Sequence, residues 1–152
     1  MVVESVTLGQ IEVPREKILR FDAGLPGFPD EKSFAFLPYG TGSPFAFLQS
    51  IVSPFLIFLV VDPFTIFQDY QFNFNDDLAR EMELSEDSPP YVCNIVTIKD
   101  KLADMTANLL APVVVNWNKR TAVQVVLEKS QYTTAHRLFP SGFPTQAGRE
   151  GK

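Results

Sequence analysis

Asp62 stands where an apolar run, residues 55–61, breaks at Pro63, which puts a carboxylate where a buried strand would emerge at a rim. Such an acid could face a ligand, but the commoner role of an Asx residue before proline is to initiate a turn. Acid-based hydrolysis would need a second carboxylate facing it across roughly 5 to 9.5 Å, and the sequence marks no such pairing. Nucleophilic catalysis has little to work with. His136 is the only histidine and sits beside Arg137, and no Gly-x-Ser-x-Gly elbow occurs. Cys93 is the only cysteine, which excludes an intrachain disulfide and supplies too few thiols for a structural zinc site. Alternation along residues 91–96 buries it on one face with Tyr91 and Ile95, as an inert core thiol. These residues point to no enzyme, no metal and no cofactor.

Three further stretches could recognise a partner. Residues 24–30 hold Gly24 and Gly27, but Pro26 removes an amide from any phosphate nest, so the segment reads as a stiff turn. It would project Leu25 and Phe28 either into the core or toward a partner. Residues 76–87 carry the acids Asp76, Asp77, Glu81, Glu83, Glu86 and Asp87 against one base, Arg80. Such a run is either a solvated face or a surface that steers a cationic protein. Trp117, Lys119 and Arg120 form a small basic and aromatic tip that hairpin chemistry explains without a ligand.

To position any of these groups the chain must first build a core. Its 152 residues suit one domain, expected over residues 1–140 with a flexible tail over 141–152 that is too poor in apolar side chains to bury itself. Prolines at 14, 38, 44, 54, 63 and 112 punctuate short apolar runs, as strand ends require. Residues 2–8 and 10–13 alternate about Gly9 and predict a hairpin. Further strands are predicted over residues 17–21, 34–37, 45–49, 56–61, 91–98, 113–116 and 122–129. One short helix is expected, capped by Asn75, with Asp76 and Asp77 at its positive end and Leu78 and Met82 four apart. The pattern predicts a mostly β, antiparallel barrel-like domain with Phe58, Val60, Ile95, Val114, Val125 and Leu127 in its core.

Composition narrows the partners. With 13 Lys and Arg against 18 Asp and Glu, the net charge is −5, which speaks against direct nucleic-acid binding. The opening residues lack a basic then long apolar leader, and the longest apolar run has seven residues where a membrane span needs roughly 20. A cytoplasmic protein without membrane contact is expected. The 14 phenylalanines suit a dense core or a sticky groove, so a barrel enclosing a small apolar ligand stands as an alternative.

The motifs in order are Phe21 with Gly24-Leu25-Pro26-Gly27-Phe28, Pro44-Phe45 with Leu48-Gln49-Ser50, and Asp62-Pro63-Phe64 with Tyr70. Asn108-Leu109-Leu110-Ala111-Pro112-Val113, Gln124-Val125-Val126-Leu127 and Tyr132 before His136-Arg137-Leu138 follow. In this order and spacing, from Val2 to Leu138, the chain resembles the flagellar assembly factor family FliW. One departure is the lack of a glycine before Gln124. The resemblance implies a non-enzymatic bacterial protein that binds newly made flagellin and also the carbon-storage regulator CsrA, an RNA-binding translational repressor. It would switch between them, relieving repression of flagellin synthesis when flagellin is exported. The acid concentration then nominates Asp76, Asp77 and Glu81 for CsrA recognition, with Tyr70 as a nearby anchor and Leu25, Phe28, Gln49, Ser50 and Asp62 as secondary candidates.

Overall fold

The computed structural model of the chain describes residues 1–140, so the tail expected over residues 141–152 lies outside the described residues. Strand β1 (Val2–Ser5) pairs with β2 (Gly9–Glu12) as a separate hairpin. The strands β3 (Ile18–Arg20), β4 (Ser33–Pro38), β5 (Phe45–Ser50), β6 (Ile57–Val61) and β7 (Tyr91–Thr97) run antiparallel, each to the next. Two later strands share β7, with β8 (Thr106–Ala107) on its C-terminal end and β9 (Val113–Asn116) on its N-terminal end. A return strand, β10 (Thr121–Gln124), pairs with β9 and meets β3 in a parallel contact at Thr121 and Arg20. That contact closes a barrel of the seven strands β3, β4, β5, β6, β7, β9 and β10, while β11 (His136–Arg137) extends β8 outside it. Closure removes the exposed strand edges that an open sheet would leave.

The barrel interior is filled by Leu19, Phe21, Phe34, Leu48 and Val113, each fully buried, with Leu25, Phe36, Val60, Cys93, Val115 and Ala122 around them. Edge-to-face packing of Phe21 on Phe34, with ring centroids 5.3 Å apart, lets the rings fill the space without stacking like faces. The sheet is also covered outside. Val61, Val96, Met105, Ala107, Leu109 and Tyr70 form a second apolar layer, and Val3 and Val13 of the hairpin pack on Ala35 as a third. Residues 58–61 are apolar without alternation for this reason: Phe58 and Val60 pack toward the barrel interior and Leu59 and Val61 toward the outer layer, whereas Phe55 at the start of the run is exposed.

Several local expectations need correction. Val60 and Val114 are buried, but Phe58, Ile95, Val125 and Leu127 are only partly so, and Leu127 belongs to the outer layer. The last predicted strand stops at Gln124, because beyond it the backbone bonds to a loop instead of a strand: Val125 N donates to the Pro112 carbonyl and Leu127 N to that of Leu110. The hairpin turn is made by residues 6–8, with Gly9 already paired to Ser5. Among the described residues two α-helices occur where one was expected: α1 (Pro63–Ile66) and α2 (Asp76–Glu81). Four residues are too few to show a helical period, so α1 is visible only through its cap, with Asp62 accepting from Phe64 N at 3.0 Å and Pro63 at the first helical position.

Candidate protein-binding surface

The acidic stretch is held as a surface. Asn75 caps α2, its side chain accepting from Leu78 N at 2.7 Å, and the buried Met82 pins the helix C-terminus. Past the helix, the Asn116 side chain donates to the carbonyls of Met82 (2.7 Å) and Glu83 (3.3 Å). Asn118 donates to the Asp87 carbonyl at 2.9 Å and to the Ser88 hydroxyl at 2.8 Å. Two asparagines of the β9–β10 hairpin therefore strap residues 82–88 in place. The sequence reading missed both: asparagine at a hairpin tip ordinarily bonds the turn's own backbone, as Asn116 Oδ1 does in accepting from Lys119 N at 3.2 Å, and no local pattern marks the added bonds to a segment distant in sequence.

All six acids of the stretch are exposed. Asp77 pairs with Arg80 and Glu83 with Lys119 at 3.5 Å; Asp76, Glu81, Glu86 and Asp87 make no ion pair among the described residues. The stretch thus presents a net negative ridge on an ordered backbone, which suits steering of a cation more than stability.

The other candidates separate. Tyr70 is only 4% exposed, which leaves it no surface to offer as an anchor. Its hydroxyl donates to the Leu109 carbonyl (2.7 Å) and accepts from Asn94 (3.3 Å), and its ring packs on Tyr132, Phe72 and Phe64. Burial pushes its phenol up to about 12. Through Phe72, which packs on Phe74 just ahead of the Asn75 cap, Tyr70 supports the acidic ridge from inside. Gln49 and Ser50 are fully buried. The Gln49 amide is shared among the carbonyls of Ser50, Ser53, Pro54 and Leu56, and Ser50 Oγ donates to Glu31 at 2.5 Å while accepting from Val52 N and Ser53 N. Both organise the β5–β6 loop, and hydrogen bonds from Ser50 and Ser53 hold the Glu31 carboxyl below its usual range. Leu25 is in the barrel core, whereas Phe28 is 38% exposed and rests edge-on against Phe58. Asp62 caps α1.

Cys93 is buried within the barrel, and burial pushes its thiol up to about 12 from an ordinary 9.0. It is expected to resist a chromogenic disulfide reagent in the folded protein and to react on unfolding. Folding raises the proton affinity of Tyr70 and Cys93 together, and that of Tyr91 likewise by burial. The folded chain therefore keeps protons that the unfolded chain releases, and the stability from these groups falls as pH rises from 9.0 toward about 12. Urea midpoints should drop between about pH 8 and about pH 11; a rise would contradict these protonation states.

Outside the barrel, Tyr39, Phe45, Phe47, Leu59, Ile98 and Leu102 line an apolar groove of 410 Å³. A filled interior, an ordered acidic ridge and an external apolar groove define a barrel that presents its outside. No helix among the described residues is long and apolar enough to cross a membrane.

A protein-family model, that of the FliW protein, matches residues 2–138. A flagellar assembly factor FliW of Desulfitobacterium hafniense is 49% identical over 140 residues, 92% of each chain. That of Bacillus subtilis is 40% identical over 138 residues, covering 91% of this chain and 96% of its own. A crystal structure of the flagellar assembly factor FliW superposes with a TM-score of 0.84 at 37% identity, covering 93% of this chain and 99% of the other. The chain belongs to the FliW family of flagellar assembly factors.

Proposed function

We propose that the chain acts in the cytoplasm as a partner switch, binding newly made flagellin or the translational repressor CsrA, so that flagellin export frees it to sequester CsrA and relieve repression of flagellin translation. Family membership across residues 2–138 carries this reading. The surface chemistry supports a division of labour. The acidic ridge with Asp76, Asp77 and Glu81 suits a cationic, RNA-binding protein, and the groove along Tyr39, Phe45 and Phe47 suits an apolar segment of flagellin.

A charged ridge acts chiefly on encounter. The combined Asp76→Asn/Asp77→Asn/Glu81→Gln variant is expected to associate with CsrA roughly tenfold more slowly at low salt and to lose most of its salt sensitivity. Stopped-flow measurement at two salt concentrations checks this. Unchanged association rates in a correctly folded variant would return residues 76–87 to a merely solvated face.

A further inference from the structure

The barrel seam gathers positive charge in a chain whose net charge is −5. At the parallel contact of β3 and β10, Arg20 N donates to the Arg120 carbonyl at 2.9 Å, and the Arg120 guanidinium reaches the Arg15 carbonyl at 3.4 Å. Arg15, Arg20, Arg120 and Lys119 line a basin of 350 Å³ to which the half-buried Ile18 gives an apolar side. Arg20 is paired with Asp22 at 2.7 Å and Lys119 with Glu83 at 3.5 Å. Arg15 and Arg120 have no ion pair among the described residues, and the one hydrogen bond of the Arg120 guanidinium goes to a backbone carbonyl. Arg120 also holds φ at +57°, a conformation that favours glycine, so the turn carries this long cation at a steric cost. Exposed guanidiniums crowded beside an apolar lining are a receptor for carboxylates, which they bind in bidentate geometry.

We propose that this basin binds an acidic segment of a protein partner, with Arg15 and Arg120 taking two of its carboxylates and Ile18 contacting an apolar side chain between them. A protein segment fits better than a nucleic acid. Lys119 joins the basin to Glu83 of the acidic ridge, so a long polyanion leaving the basin on that side meets like charge, whereas a short acidic peptide does not. The apolar lining gives a peptide side chain a contact that a phosphate backbone lacks. The inference rests on the reading of the chain as a protein-binding regulator, but only for the choice of a protein as occupant.

The test is fluorescence anisotropy with the full chain and a labelled peptide of sequence Glu-Glu-Leu-Glu-Glu, its Gln-Gln-Leu-Gln-Gln counterpart, and a short single-stranded RNA. The acidic peptide should bind in a salt-dependent manner and the Gln peptide should not. Arg15→Gln/Arg120→Gln should weaken the acidic peptide roughly tenfold without moving the melting temperature, while Arg15→Lys/Arg120→Lys should restore part of the binding. Equal affinity in the Gln variant, or tighter binding of the RNA, would overturn the proposal. Loss of peptide binding with flagellin and CsrA still captured would sink this inference alone; peptide binding with neither protein captured would sink the partner switch alone.

Discussion

Truncating Tyr70 to Ala is expected to lower the unfolding free energy by about 3–5 kcal/mol, a large share of the roughly 5–15 kcal/mol that holds a domain together. The ring lies between Tyr132 at 4.7 Å and Phe72 at 5.1 Å, so its loss opens a cavity in the outer apolar layer. It also leaves the Leu109 carbonyl without its donor. Tyr70→Phe keeps the ring and separates the two contributions; losing the hydroxyl alone should cost about 1–3 kcal/mol. Denaturant unfolding of the full chain reads both. Wild-type stability in Tyr70→Ala, together with faster dissociation of a partner, would place this side chain at a surface instead.

Gly24→Ala is expected to cost about 3–4 kcal/mol, because backbone strain and steric overlap act together. Gly24 has φ of +65°, and an added Cβ would sit 2.5 Å from the Phe28 carbonyl oxygen and 2.6 Å from that of Pro29. Both are backbone atoms of the turn. Leu25 and Phe28 there exchange hydrogen bonds of 3.2 and 2.7 Å, so making room means opening that bridge and withdrawing Leu25 from the core. Gly27→Ala is the internal control: φ is +85° but the site is open, so only the conformational cost of about 1–2 kcal/mol applies. Equal losses at the two positions would show that the close approach at Gly24 contributes nothing.

Strands were legible in the sequence where a proline bounded a β-branched or aromatic run. Pro44 precedes β5 and Pro112 precedes β9, and the α2 cap at Asn75 was legible because capping is local chemistry. Burial was harder to read. Gln49 and Ser50 are polar residues at a strand end, which resembles a rim, yet the carbonyls and amides of the loop after β5 need partners and draw both side chains inside. Tyr70 looked like an anchor because an aromatic with a hydroxyl suits an interface; its actual partner is a backbone carbonyl 39 residues away, which no local pattern reveals. The cationic basin was equally hidden, since Arg15, Arg20 and Arg120 become neighbours only when the parallel contact closes the barrel.

The partner switch is tested most directly by competition. The chain is saturated with immobilised CsrA, purified flagellin is titrated in, and released protein is followed by surface plasmon resonance and size-exclusion chromatography. The account predicts that flagellin displaces the chain from CsrA in a dose-dependent manner and elutes with it as a binary complex. A stable ternary complex, or no binding of either protein by a correctly folded chain, would contradict it.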